Sequence, residues 1–311
     1  MGQVKSSLVS RILVVLPSLH EGSTIAELVA ETTGHLPEHD LSFLIADDSQ
    51  GTDPDLNTLV QTDSRVRLFT PTSRLGHQRG LTAALREIKD ELPGFDAVVT
   101  MDGDGEDRTA DIAKLIAPVL SGEVNLARAQ CGKRSVHRSF SLGYLIYRGI
   151  FRTLTGMKIT SGNFAAASGV WWHDELDSKM WNLTFSGTLA SINGKVTDIA
   201  CDRDPRRVGK SRMNFSGLIG YGLMFALPFS LRIAVRAAVL TAFAAIVSII
   251  AVITVVALRI FTESSTPGWT TTVAFGAAGV VLIAFVALTS ALVLYAATMS
   301  GRADAGRITR T

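Results

Sequence analysis

The sequence has few cysteines and almost no net charge, and each shortage excludes a class of protein. Its 2 cysteines among 311 residues are too few for the disulfide framework of a small secreted fold. The 30 basic and 28 acidic side chains leave a net charge of +2, so no overall field favours nucleic acid as a partner. No Gly-x-Gly-x-x-Gly follows the first apolar run, and Gly-x-x-x-x-Gly-Lys-Ser/Thr is absent. These absences weaken the dinucleotide-binding and P-loop interpretations.

Charge is missing altogether from two long stretches in the second half of the chain. Residues 237–258 form a run of 22 without a charged side chain, and residues 264–301 form one of 38. Each can hold the roughly 20 apolar residues that cross a bilayer. We therefore predict two transmembrane helices, at about 235–260 and 271–298. A buried hairpin of a soluble protein is the disfavoured alternative, because soluble helices carry a polar face and these stretches do not.

The arginines around the two predicted spans indicate their orientation. Those before the first span and after the second are Arg232, Arg236, Arg302, Arg307 and Arg310. By the positive-inside rule both ends of the chain are expected in the cytoplasm and the short link outside, although Arg259 is an opposing signal. Residues 1–10 lack the apolar segment of a signal peptide. The large N-terminal part is then cytoplasmic, with Cys131 and Cys201 as reduced thiols.

Strand-like and helix-like segments alternate along the first 120 residues. Short apolar runs occur at residues 11–17, 41–46, 66–69 and 97–101, and apolar side chains at helical spacing follow each of them. This alternation predicts an α/β fold with a mostly parallel sheet covered on both faces by helices. The carboxyl ends of such strands meet at one edge of the sheet, where ligands bind.

Acidic side chains are concentrated where two of these runs end. The fourth run is followed by four carboxylates within residues 102–107, and the second by Asp47 and Asp48. Crowded carboxylates repel one another, so a fold retains them only with positive charge among them. Hard oxygen ligands at this spacing suit Mg²⁺ or Mn²⁺ bound through one or two carboxylates plus substrate phosphates. A solvated acidic turn is the alternative for residues 102–107, and turn capping is the alternative for Asp47 and Asp48.

Five short motifs occur in a fixed order along the chain. They are Pro17-Ser-Leu-His-Glu21, Asp47-Asp48-Ser49, Asp102-Gly-Asp104-Gly-Glu106, Gly132-Lys133-Arg134 and Arg206-Arg-Val-Gly209-Lys-Ser211-Arg212. With the two C-terminal spans, this set resembles family 2 glycosyltransferases of the polyisoprenyl-phosphate branch. Each motif is weak alone, but the ordered set is specific. One segment departs from the pattern: residues 162–167 read Gly-Asn-Phe-Ala-Ala-Ala where many members have Gly-Asp-Phe-Arg-Leu, so no role is carried onto it.

The resemblance implies a GT-A fold, which is Rossmann-like, and a donor sugar linked to GDP or UDP. It implies an inverting transfer to polyprenyl or dolichyl phosphate at the cytoplasmic face of the membrane. The residues implied for the nucleotide are Pro17, Glu21, Asp47, Asp48 and Asp102, and those implied for the metal are Asp102, Asp104 and Glu106. The candidate catalytic residues are Asp102, Asp104 and Arg134.

Transfer to a lipid phosphate needs positive charge more than it needs a base. The acceptor oxygen is already anionic near pH 7, because the second pKa of a phosphomonoester is about 6. A divalent cation held by Asp104 would neutralise the leaving diphosphate, and Arg134 could contact phosphate oxygens in a bidentate manner. The basic residues that we predict to hold phosphate and acceptor are Lys133, Arg134, Arg138, Arg206, Lys210 and Arg212.

We expect three parts in the chain: a GT-A domain at 1–212, an interfacial amphipathic segment at 213–232, and a two-helix membrane hairpin with a cytoplasmic tail at 233–311. A short third span is the alternative for the middle part. Gly276 and Gly279 would permit helix pairing and hence a homo-oligomer. Two other functions stay open: a membrane-bound family 2 enzyme of polysaccharide or lipid glycan synthesis, and an inactive membrane scaffold. The Gln-x-x-Arg-Trp of processive synthases is absent.

Overall fold

The computed structural model divides the chain into two compact units. It describes residues 9–131, 149, 151–153, 155–156, 162–207, 220, 222, 224–261, 268–298 and 306–309. The first unit comprises Met1–Ser141, Ile159–Phe225 and Gly301–Thr311, and the second comprises Leu142–Lys158 and Ala226–Ser300. The end of the chain thus belongs with the N-terminal unit, whereas residues 142–158 belong with the C-terminal helices.

The first unit is built on one sheet of eight strands among the described residues. The strands are β1 (Arg11–Ser18), β2 (Asp40–Asp47), β3 (Val66–Pro71), β4 (Ala97–Thr100), β5 (Leu126–Cys131), β6 (Ala165–Ala167), β7 (Val196–Cys201) and β8 (Gly306–Thr309). Their order is β7-β5-β6-β4-β1-β2-β3-β8. β1 runs parallel to β2 and β4, β2 to β3, and β5 to β7. Only β6 and β8 pair antiparallel to their neighbours, so the predicted mostly parallel α/β fold is confirmed.

Helices cover both faces of the sheet. They are α1 (Gly22–His35), α2 (Pro54–Thr62), α3 (His77–Glu87), α4 (Ile112–Leu120), α5 (Gly169–Glu175) and α6 (Phe185–Ser191). Alternate residues of a strand point to opposite faces, and β1 shows the consequence directly. Ile12 and Val14 pack with the apolar residues of α1, α2 and α4, whereas Leu13 and Val15 pack with those of α3, α5 and α6.

The second unit contains two long apolar helices, α7 (Ser230–Phe261) and α8 (Trp269–Thr298). Both are long and apolar enough to cross a membrane, with candidate spans at Met224–Leu258 and Thr271–Ser290. The two helices predicted at about 235–260 and 271–298 are therefore present. Of the interfacial segment predicted at 213–232, residues 213–219, 221 and 223 lie outside the described residues, and its last three residues, from Ser230, already belong to α7.

One arginine connects α7 to the part of the second unit that precedes residue 158. The guanidinium of Arg236 donates to the carbonyl oxygen of Thr153 at 2.5 Å, and the Phe151 and Phe229 rings meet edge to face with centroids 5.6 Å apart. Both contacts join chain segments about 80 residues apart, and no local sequence pattern reveals them.

Asp53 is a buried carboxylate that joins two helices. Its side chain caps α2 by accepting from the backbone N–H of Asp55 (3.0 Å) and of Leu56 (3.4 Å). It also accepts from the N–H of Gly22 at the start of α1, at 3.0 Å. Asp53 is 3% exposed, so water cannot replace these bonds once they are lost.

Asp53→Ala should therefore lower the free energy of unfolding by about 2 kcal/mol, since a lost cap costs about 1 and an unsatisfied buried donor about 1–3. Thermal unfolding of the purified protein in detergent should show a midpoint lower by roughly 4–8 °C. Asp53→Asn, which keeps an acceptor oxygen, should lose less. The control is Asp55→Ala, next to it in the first turn of α2 but exposed; an equal loss in that variant would contradict the bridging role of Asp53.

Candidate active site

The carboxyl ends of β1, β2 and β4 lie side by side at one edge of the sheet. The pairing of β1 with β2 ends at Ser18 opposite Asp47, and its pairing with β4 ends at Val15 opposite Thr100. The chain after β2 and the loop of residues 102–107 after β4 therefore leave the sheet on either side of β1. This is the arrangement that the sequence predicts for its two acidic groups.

Asp47 and Asp48 bind backbone rather than open space in this structure. Asp47 is fully buried and accepts from the N–H of Ser49 and of Gly51, both at 2.9 Å. Asp48 accepts from the N–H of Leu75 at 2.7 Å and of Gly76 at 3.1 Å. Asp47 thus caps its own turn, as the alternative interpretation of the sequence allowed, and Asp48 ties that turn to the loop before α3. Contact of either residue with a nucleotide stays a prediction.

The loop of residues 102–107, which we call the acidic loop, is folded by its own carboxylates. The N–H of Asp102 donates to Asp107 Oδ2 and the N–H of Glu106 donates to Asp104 Oδ1, each at 3.0 Å. Between them Gly103 packs against β1 so closely that an added Cβ would lie 2.2 Å from the carbonyl oxygen of Pro17. The glycine in Asp-Gly-Asp is therefore a packing requirement, and Pro17 contributes by its backbone.

Two arginines from the segment after β7 neutralise part of this loop. Arg206 contacts Asp104 and lies 3.7 Å from Glu21 and 3.5 Å from Glu106. Arg203 lies 3.2 Å from Glu106 and 3.6 Å from Asp107. The structure thus brings together Glu21, Asp104, Glu106 and Arg206 from the predicted site residues. It places Arg206 among carboxylates, and its predicted contact with phosphate or acceptor stays a prediction.

Counted over the described residues, negative charge remains in excess around the acidic loop. Burial and the charge of Asp102 together raise the pKa of Asp107 to about 7, against the opposing effect of Arg203. Burial also raises the pKa of Asp104, with contributions from Asp102 and Glu106. Among the described residues Asp107 Oδ1 is buried without a hydrogen-bond partner. Two guanidinium groups therefore do not balance the carboxylates gathered here.

The carboxylates of the acidic loop can be compared with the ligands that the predicted Mg²⁺ or Mn²⁺ would require. Within the described part of the chain, no group of three His, Cys, Asp or Glu side chains is arranged to hold a metal ion. Glu106 is paired with Arg203 and Arg206, and Asp104 also contacts Arg206, so the metal contacts predicted for Asp102, Asp104 and Glu106 stay predictions. Mg²⁺ in phosphate-transfer sites usually has only one or two carboxylates plus substrate phosphates. Asp102 and Asp104, hard oxygen donors in a region of excess negative charge, fit that requirement.

Asn163 and Gln78 lie at the site although no sequence motif assigns them a role there. Asn163 Nδ2 donates to Asp102 Oδ1 at 2.7 Å, and Gln78 Nε2 donates to Asn163 Oδ1 at 2.8 Å. Asn163 lies in the segment that departs from the family pattern, and that departure was the available signal. Gln78 gave no signal, because its position next to Asn163 depends on the fold.

Five predicted residues cannot be placed. The predicted phosphate or acceptor contacts Lys133, Arg134, Arg138, Lys210 and Arg212 all lie outside the described residues. The catalytic role of Arg134 therefore stays a prediction. Cys201, predicted to be a reduced thiol, is buried.

A family model described as Glycosyl transferase family 2 matches residues 13–181, which is more than half of the chain. The chain belongs to this family. Solved structures similar to this glycosyltransferase include glucosyl-3-phosphoglycerate synthase from Mycobacterium tuberculosis in complex with uridine-diphosphate, with 17% identity over 72% of this chain and 80% of that one and a TM-score of 0.46. The same synthase with Mn²⁺ and uridine-diphosphate-glucose has 17% identity over 73% and 79%, with a TM-score of 0.43. Curated protein sequences gave no match.

Gly103→Ala should destabilise this glycosyltransferase by about 1–3 kcal/mol, because the new methyl group clashes with the Pro17 carbonyl and β1 cannot move without losing core packing. Thermal unfolding in detergent measures the loss. Gly34→Ala is the matched control: this glycine is in α1 and no atom lies within 4 Å of the added Cβ. There alanine should stabilise by about 0.5–1 kcal/mol, and a stable Gly103→Ala variant would refute the packing argument.

Proposed function

We propose that this glycosyltransferase transfers a sugar, with inversion, from a GDP- or UDP-linked donor to a polyisoprenyl phosphate at the cytoplasmic face of a membrane. One observation carries the proposal: a family 2 domain shares its chain with two helices whose large apolar side chains are exposed. Phe243 is 65% exposed, Ile253 62% and Ile283 72%. Apolar surface of this extent is stable in lipid rather than in water, and a lipid-borne acceptor suits an enzyme anchored there.

The acidic residues at the carboxyl ends of β2 and β4, which we call the acidic edge, bind and orient the donor in this mechanism. Asp47 and Asp48 fix the turn after β2 and the loop before α3 through their backbone hydrogen bonds, and the nucleotide would bind beside them. Asp102 and Asp104 would supply carboxylate oxygens to a divalent cation, and that cation would neutralise charge on the departing diphosphate. Glu106 stays paired with Arg203, which keeps the acidic loop closed.

The acceptor needs no strong general base. Its phosphate oxygen is anionic near pH 7, because the second pKa is about 6. The oxygen forms a bond to the anomeric carbon while the bond to the nucleoside diphosphate breaks, and attack from the opposite side inverts the anomeric centre. Positive charge near the acceptor would come from the basic residues of the Gly132-Lys133-Arg134 and Arg206–Arg212 motifs.

The pairing of β8 supports the orientation of the two spans. β8 follows both long helices in the chain, and it pairs antiparallel with β3 from Leu68↔Thr309 to Pro71↔Gly306. A strand that joins the sheet of the catalytic domain lies on the same side of the membrane as that domain. An even number of membrane crossings between the domain and β8 places both on the same side, whereas one or three crossings do not. The third span considered for 213–232 is therefore disfavoured.

The transfer itself is tested with purified protein in detergent, a panel of GDP- and UDP-linked sugars, and a short-chain polyprenyl phosphate with Mg²⁺ or Mn²⁺. One donor should release its nucleoside diphosphate only when the lipid phosphate is present. Asp104→Ala should abolish this release without lowering the unfolding midpoint by more than a few degrees. The exposed Asp177, which pairs with Lys89, provides the control Asp177→Ala, which should stay active.

Other results would overturn parts of the proposal. Equal release without lipid phosphate would point to a different acceptor, and no release with any donor would favour the inactive scaffold. A nearly normal rate in Asp104→Ala would refute the assignment of the metal to this carboxylate.

The orientation is tested by labelling single cysteines in intact cells with a membrane-impermeant maleimide. In a background of Cys131→Ala and Cys201→Ala, Ser265→Cys in the link between α7 and α8 should react from outside. Arg310→Cys, just after β8, should react only after the cells are lysed. Labelling of both positions from outside, or of neither, would contradict the proposed two-span orientation.

A further inference from the structure

A chain of amide side chains runs from the acidic loop into the domain core. It begins at Asp102, passes through Asn163 and then Gln78, and ends at the start of α6. There Gln78 Oε1 accepts from the N–H of Ser186 at 2.8 Å, from its hydroxyl at 3.1 Å and from the hydroxyl of Thr184 at 3.1 Å. Asn163, Thr184 and Ser186 are all buried.

The direction of every hydrogen bond in this series of side chains follows from its last donor, the backbone N–H of Ser186. A backbone N–H can only donate, so the Gln78 atom facing Ser186 must be the carbonyl oxygen. The amide nitrogen of Gln78 then faces Asn163 and requires an acceptor there, which is Asn163 Oδ1. The nitrogen of Asn163 is left to donate to Asp102. A fixed donor in the core thus sets the orientation of two amides that could otherwise be flipped.

We propose that Asn163 and Gln78 are positioning residues for donor binding, which hold Asp102 with one oxygen engaged and leave its second oxygen for the cation that accompanies the nucleotide diphosphate. Among the described residues, Asp102 Oδ2 has no hydrogen-bond partner, whereas Oδ1 is held at 2.7 Å. This rests on the metal assignment of the proposed function and extends it to two residues that touch neither sugar nor phosphate.

The amide at position 163 has a specific consequence. Asparagine offers both a donor and an acceptor, so it can serve Asp102 and Gln78 at once. A carboxylate there would place two acceptor oxygens about 2.7 Å apart and would also lack the donor that Asp102 uses. The series of hydrogen bonds from Asp102 to Gln78 therefore requires an amide at position 163, where the family pattern more often has an acid.

The test measures Mn²⁺ binding by isothermal titration, alone and with UDP or GDP, in the full-length protein in detergent. Partners that orient metal-binding side chains contribute about 10–100-fold to metal affinity. We expect Asn163→Asp to weaken Mn²⁺ binding by at least 10-fold. The matched control is Asn193→Asp, an exposed position whose amide donates to the Ser191 carbonyl, and it should change binding less than twofold.

A second variant tests transmission along the chain. In Gln78→Glu one carboxylate oxygen can still accept from Ser186, but the other cannot donate to Asn163, so the Asn163 amide is free to flip. This variant should weaken Mn²⁺ binding about as much as Asn163→Asp. In an Asn163→Ala background the same change should add less than a twofold effect, because the link to Asp102 is already broken.

Two results would overturn the proposal. If the changes at positions 78 and 163 weaken Mn²⁺ binding independently, so that their effects multiply in the double variant, Gln78 acts through the fold alone. The same conclusion would follow if the loss of Mn²⁺ binding tracked a fall in the unfolding midpoint. Normal Mn²⁺ binding in Asn163→Asp would show that the amide does not position Asp102. Failure of the wild-type protein to transfer sugar to polyprenyl phosphate, with these binding effects intact, would instead refute only the acceptor.

Discussion

Repulsion among the carboxylates of the acidic loop is the constraint on which this site depends. Asp102, Asp104, Glu106 and Asp107 follow a buried strand within six residues, and such a group would open unless countercharge held it closed. Arg203 and Arg206 supply that charge, and their segment is fixed by backbone bonds as well, from Asp204 to Glu106 at 2.9 Å and from Arg207 to Asp104 at 3.3 Å. The acidic edge is therefore built from two chain segments about 100 residues apart.

The same edge uses carboxylates in two different ways. The carboxylates of Asp47, Asp48 and Asp53 accept hydrogen bonds from backbone N–H groups of turns and helix ends. Asp102 instead accepts from the amide of Asn163, and Asp104 contacts the guanidinium of Arg206; these are two of the carboxylates predicted to hold the cation. A sequence cannot separate these uses, because an aspartate after a strand is equally suited to capping a turn and to binding a ligand.

The first half of the fold was predictable because its signals are local. The strands at 11–17, 41–46, 66–69 and 97–101 are apolar runs, and amphipathic helices follow them. The later strands lack that signal: β6 is only Ala165–Ala167, and alanine has little preference for strands. β6 forms because β4 and β5 flank it. β8 likewise depends on an edge of β3 that lies more than 230 residues earlier in the chain.

The two assignments of Arg206 constrain each other. Its guanidinium contacts Asp104 and lies near Glu21 and Glu106, so it can bind an acceptor phosphate only by releasing some of these carboxylates. That release would be costly while the acidic loop kept its excess negative charge, because buried carboxylates without countercharge are strongly destabilised. A cation bound at Asp102 and Asp104 lowers this cost. If Arg206 holds the acceptor, this charge balance predicts that the donor and its cation bind first.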